Sequence, residues 1–310
     1  MKDNLKSFIY DDKEQRYRGY VLIGVFVILL AIIYFGVIGP FENILIGLGL
    51  TIEGMYNPDS YIDLISVLVH FSLLPLLMIV GSYLVLKFVE KSDFKLIGMN
   101  FYSGWIKDLF LGVAVGMGLM AIGLLIFVIF GWVDIIGFAW NINGLSVYMY
   151  RTFYITVSLI SVALMEEILL RGYIFLVIRR SLGLKYSIII TSVIFGLLHL
   201  NNSTAVSWSV YVVPFTLTMA GVLFAVSLLS KESLWVAIGL HFAWNIFEYG
   251  IFNLNGGTSS LLFVTEINGP AFFIGLPNSS FGPEVGAVGV LMMAIGICYF
   301  TKFVKPRVLD

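Results

Sequence analysis

The sequence predicts an all-α, polytopic membrane helix bundle of about eight transmembrane helices, with the N-terminus and C-terminus inside. Three observations carry that expectation: composition, the spacing of apolar runs, and the placement of the basic residues. Of 310 residues, 59% are hydrophobic and 12% charged, with a mean hydropathy of +0.98. A soluble domain carries about 25% charged residues, so this chain is built to lie in lipid. Apolar segments of the length needed to cross a bilayer recur along it, and of 18 Lys and Arg, 16 fall in the connections on one side.

The segments run near 20–39, 61–88, 107–130, 148–178, 186–200, 207–229, 232–253 and 285–304. Mostly polar residues precede the first, which is too long for a signal h-region and lacks a small-x-small cleavage pattern, so it is expected to remain as a helix. The fifth is short. It either ends in a thinned or protein-lined region or continues through Asn201, Asn202, Ser203 and Thr204. Basic residues of the inner connections include Lys87, Lys91, Lys95, Lys107, Arg179, Arg180, Lys185 and Lys231; Arg151 falls on the outer side and Arg171 within a span.

Residues 39–60 and 254–284 are expected as outer loops. The second includes apolar patches at 261–264 and 271–274 that would suit a lid or an interfacial segment as well as a plain connection. No polar stretch is long enough to fold alone, so 1–310 reads as a single membrane domain. The net charge of −1 gives no reason to expect nucleic acid. The lone cysteine, Cys298, reads as a small buried hydrophobe and His70 as a packed histidine.

The chemistry gathers in three pieces: Glu166-Glu167-Ile-Leu-Leu-Arg171, then Phe195-Gly-Leu-Leu-His199, then His241-Phe-Ala-Trp-Asn245. Ionisable groups within a span are expensive and are functional candidates by default. Counted at about 1.5 Å per residue from the basic residues of the inner boundary, Glu166, His199, His241 and Asn245 all come to roughly 15–21 Å, a shared mid-membrane depth. Glu167 and Arg171 stand at i, i+4 with the acid first, the favourable order for an ion pair, which leaves Glu166 for chemistry; the reverse assignment stays open. His241 and Asn245 share one helix face and could both donate to a developing oxyanion. Glu248, one turn further, reads as a residue at the water interface.

This ordered triple, Glu-Glu-x-x-x-Arg, Phe-x-x-x-His and His-x-x-x-Asn on three membrane helices, resembles the signature of the CAAX protease and bacteriocin-processing (Abi) family of intramembrane proteases, which includes the eukaryotic CAAX prenyl endopeptidases. The resemblance covers about 145–253, the expected catalytic core, and Phe281-Gly-Pro-Glu284 is similar to a segment of prokaryotic members. It implies a peptidase in which Glu166 and His199 activate water and His241 and Asn245 stabilise the oxyanion, with Glu167, Arg171 and Phe195 in support. A divalent metal such as zinc is an open part of this expectation; Glu166, His199 and His241 would then be its ligands. Without it, water is activated directly.

The implied substrate is a membrane-embedded or lipid-anchored peptide or protein, of CAAX type or a bacteriocin or signalling-peptide precursor. The low cysteine content and the 281–284 segment favour a prokaryotic plasma membrane. A proton-coupled transporter and a non-catalytic partner-binding or immunity protein are the competing readings. The missing internal repeat counts against the first, and the intact polar set against the second.

Overall fold

A computed structural model describes residues 10–11, 16–48, 61–143, 145–202, 209–254, 261–276 and 281–303. Helix stands at each of the eight predicted places. The principal helices are α1 (Gly19–Ile33), α2 (Gly39–Gly47), α3 (Tyr61–Leu84), α4 (Trp105–Ile129), α5 (Leu145–Glu167), α6 (Phe175–Leu182), α7 (Leu184–Leu198), α8 (Ser209–Lys231), α9 (Leu234–Asn245) and α10 (Ala287–Lys302). Among the described residues, five helical stretches are long and apolar enough to cross a membrane by length and composition: Gly19–Gly47, Val67–Val89, Trp105–Ile129, Tyr148–Leu182 and Tyr211–Lys231. α7 and α10 are shorter apolar helices. Outward-facing Ile28, Ile32, Phe35 and Val37 on the first stretch are the surface expected against lipid rather than water.

Three sequence expectations change. Residues 39–47 are not loop: a π-helical turn (Tyr34–Ile38) carries the first helix on into α2, whose opening turn holds Pro40; positions 49–60 lie outside the described residues. Segment 261–276 is not a plain connection either. Val133–Phe138 (β1) and Phe263–Ile267 (β2) form an antiparallel pair, with Val133 opposite Ile267 and Phe138 opposite Phe263. Partners so far apart in sequence leave no local signal of their pairing. Cys298, expected to be buried, is exposed on the outer face of α10. His70 lies 3.0 Å from Glu42 of α2, with its ring edge-on to Phe71.

The centre of the bundle is α9. Apart from Phe242 and Asn245 every residue in it is buried, so it has no polar face to declare an amphipathic period. It packs against α4 at backbone distance through reciprocal glycines, as membrane helices do where small residues let backbones approach. A Cβ on Gly239 would stand 2.2 Å from the Leu109 carbonyl oxygen, and one on Gly112 would stand 2.1 Å from that of Val236. Neither obstacle is a side chain that can swing away. This contact holds the helix that carries His241.

Gly239→Val is therefore expected to cost about 3 kcal/mol or more, read as a lowered thermal midpoint or loss of folded protein in detergent. Gly118→Ala, with no atom within 4 Å of the added Cβ, is expected to stay within about 0.5 kcal/mol of wild type.

Candidate active site

Each of the four candidate side chains stands where a regular α-helix gives way. Glu166 is in the last turn of α5, which passes at Glu167 into a π-helical turn (Ile168–Ile174). His199 caps α7 and opens a 3-10 turn (His199–Asn202). His241 is one turn before the end of α9, and Asn245 is its last residue, followed by another π turn (Ile246–Ile251). Such turns reset the direction of side chains that 3.6-residue geometry would aim elsewhere, and they recur at functional sites.

Glu166, His199 and His241 come together. Glu166 Oε1 lies 4.0 Å from His199 Nε2, and its Oε2 lies 3.9 Å from His241 Nε2, so each carboxylate oxygen faces a different imidazole. Both spacings exceed a hydrogen bond, and among the described residues Glu166 Oε2 is buried without a partner. The other nitrogen of each ring is engaged. His199 Nδ1 is 2.7 Å from the Phe195 carbonyl oxygen, which can only accept. Nδ1 therefore carries a proton, and Nε2 is the ring atom turned toward Glu166. His241 Nδ1 is 3.0 Å from Glu167 Oε1. Asn245 is half-buried one turn beyond His241, and its amide makes no hydrogen bond to any described residue.

Behind these groups lies a closed charge cluster. Glu167 Oε1 also accepts from Arg171 Nη1 at 3.1 Å, and Arg171 Nη2 donates to the Gly221 carbonyl at 3.2 Å. Both side chains are fully buried, whereas those of Glu166 and His199 are each 19% exposed. Glu167 thus belongs to the packing and Glu166 to the accessible side. Phe195 ties the halves together. Its ring centre is 4.7 Å from His199 and 6.0 Å from His241, and the Arg171 guanidinium sits 4.4 Å from it, within cation–π range. Phe224 stacks on His241 at 4.6 Å and lies 5.2 Å from the guanidinium.

Sequence reasoning missed several neighbours. Phe224 is one apolar residue among many in α8 and carries no signal. Glu248 is not at a water interface: it is fully buried, accepts from Trp244 Nε1 at 3.0 Å, and lies beside the buried Glu284. Glu284 is held in turn by Gly282 N–H at 3.0 Å, and Phe281 in the same turn stands 6.5 Å from the His199 ring. The signal available was spacing, since Glu248 continues the His241–Asn245 face at i+7.

Arg171→Ala would leave Glu167 as an uncompensated buried anion and is expected to destabilise the protein by about 3–5 kcal/mol. The double substitution Glu167→Ala with Arg171→Ala should cost less than the sum of the two single ones, which thermal unfolding of the four proteins in detergent would measure.

Comparison with known proteins bears on the same helices. Residues 148–247 match the family model described as type II CAAX prenyl endopeptidase Rce1-like. No curated protein and no solved structure matches the chain. The matched stretch opens in α5 and closes in the π turn after α9, and so contains Glu166, Glu167, Arg171, Phe195, His199, His241 and Asn245. The segment that builds this buried cluster is thus the part of the chain that is similar to the type II CAAX prenyl endopeptidases.

Proposed function

We propose that this protein is an intramembrane endopeptidase that hydrolyses a peptide bond of a membrane-presented substrate, either a CAAX-type C-terminus or a bacteriocin or signalling-peptide precursor. The observation that carries the reading is the Glu166 carboxylate, which faces one histidine Nε2 from each oxygen at 3.9–4.0 Å. A water about 2.8 Å from both Glu166 Oε1 and His199 Nε2 would bridge their spacing with an angle of about 90°, within its hydrogen-bonding capacity. In this reading Glu166 takes a proton from that water as the oxygen attacks the scissile carbonyl. The carbonyl electrons move onto oxygen, where Asn245 and His241 donate hydrogen bonds. To donate from Nε2 while Nδ1 donates to Glu167, His241 would act as an imidazolium facing the Glu167 carboxylate. Collapse of the intermediate breaks the C–N bond, and the proton held on Glu166 passes to the leaving nitrogen.

The donor geometry favours direct activation over a metal-bound water. Ligands of one tetrahedral zinc at about 2.0–2.1 Å lie roughly 3.4 Å apart, closer than either histidine lies to Glu166, and no group of three His, Cys, Asp or Glu among the described residues is arranged to hold an ion. In the same reading the chain spans a prokaryotic plasma membrane eight times with both termini on the basic, inner side, so that the cluster lies near mid-membrane.

With purified protein in detergent and a panel of membrane-presented peptides that includes a prenylated CAAX peptide, Glu166→Gln is expected to lose about 10²–10⁴ in rate while keeping the wild-type thermal midpoint. Wild-type cleavage by Glu166→Gln would remove the base from Glu166. Asn245→Ala should fall about 10²–10³ in kcat with KM little changed, because its contact forms only as charge develops. Exhaustive chelation is expected to leave cleavage intact; loss restored by added zinc would overturn direct activation.

A further inference from the structure

At the basic end of the bundle a cavity of about 1040 Å³ opens between the 95–102 connection, α6 and the end of α8. Its lining is divided. Phe101, Phe175 and Leu228 stand among its apolar walls, while Lys95, Arg179 and Lys231 bring positive charge to it from a loop and from the last turns of two helices. Among the described residues neither lysine ammonium is in an ion pair, and Arg179 has only a 4.0 Å contact with Glu232. The cavity is built into the fold. Leu234 N–H donates to the Gly98 carbonyl at 3.0 Å, Trp235 Nε1 to that of Asn100 at 2.9 Å, and Tyr102 to Ser233 at 3.3 Å, which together fasten the 95–102 connection onto the start of α9.

Two further observations identify the occupant. Phe101, Trp105 and Trp235 form an aromatic cluster at this end, with ring centres 4.7–5.3 Å apart, and tryptophan gathers where hydrocarbon meets the headgroups. None of Glu166, His199, His241 and Asn245 lines the cavity. Arg171 does, but its side chain is fully buried and its guanidinium is turned to Glu167, Gly221 and the Phe195 ring, so a substrate lodged here would have Arg171 between it and the catalytic carboxylate. The structure points, we propose, to a binding site for an anionic phospholipid: its phosphate meets Lys95, Arg179 and Lys231 at headgroup level, and an acyl chain lies along Phe101, Phe175 and Leu228. Basic recesses between membrane helices recognise anionic headgroups in this way. The site is independent of the peptidase reading and is occupied whether or not the protein cleaves anything.

Delipidated full-length protein, titrated with phosphatidylglycerol and with phosphatidylcholine of the same chains, tests this by native mass spectrometry and thermal shift. Phosphatidylglycerol is expected to bind roughly tenfold more tightly, and the preference should shrink with added salt. Lys95→Gln with Lys231→Gln should bring the two lipids to near parity, while Lys95→Arg with Lys231→Arg keeps the preference and shows that the loss is one of charge rather than of folding. Equal binding of the two lipids by wild type would overturn the proposal, as would an undiminished preference in the glutamine variant. Inorganic phosphate giving the whole shift would make this a simple anion site. An apolar peptide with a free C-terminal carboxylate that binds in place of the lipid would make it a peptide site, and either result removes the lipid.

Discussion

The arrangement depends on one buried ion pair, Glu167 with Arg171. Two charges taken wholly out of water gain little net stability from each other, since desolvation offsets most of their attraction. Their value is geometric. Arg171 can be buried only where acceptors surround it, and those it finds are a carboxylate of its own helix and a backbone carbonyl of α8. The same Glu167 oxygen holds His241 on α9. A single carboxylate therefore fixes the relative position of three helices, and any slip among them would strand a charge. The guanidinium face closes on Phe195 and Phe224, so the aromatic layer beneath the histidines is set by the same pair.

That constraint explains how two adjacent glutamates come to do different work. Glu166 and Glu167 are about 100° apart around α5, so locking one into the packing turns the other out of it. Glu167 has no exposed surface and two donors on one oxygen, Arg171 Nη1 and His241 Nδ1. Glu166 keeps 19% of its side chain accessible, with both oxygens beyond hydrogen-bonding distance of the imidazoles they face. A carboxylate already bonded would have to break those bonds before it could take a proton. One held just short of its neighbours is positioned without being satisfied.

Much of this was legible in the sequence because in a membrane span polarity is rare and each departure is informative. The eight helical places, the i, i+4 pairing of Glu167 with Arg171, and the shared helix of His241 and Asn245 all follow from spacing and from the cost of burying charge. What escaped detection escaped for physical reasons. The β1–β2 pair joins residues far apart in the chain through backbone groups, which no side-chain pattern records. Counting at 1.5 Å per residue places His199 within a helix, yet α7 ends at Leu198 and the histidine stands in its cap. Glu248 was misjudged because a carboxylate near the end of a span is ordinarily in water; Trp244 is its i−4 neighbour, but only tertiary contact could reveal Glu284 beside it.

The irregular turns are the last part of this logic. Bringing Glu166, His199 and His241 from three helices within about 4 Å needs several vectors to converge, and ideal helices crossing at fixed packing angles offer few such solutions. Substrate access adds a second demand: the groups cannot all be sealed in interdigitated interfaces. Ending each α-helix at its site residue meets both. The regular part of α9 supplies rigid packing against α4 through Gly112 and Gly239, and the π turn after Asn245 then releases the helix from that register. α5 does the same one residue after Glu166. Rigidity thus lies N-terminal to each group and irregular backbone begins within about a turn beyond it. Away from water, freed N–H and C=O groups are tolerated only where surrounding helices bury them. The central placement of these segments in the bundle is therefore a condition for the site, as well as a consequence of their apolar sequence.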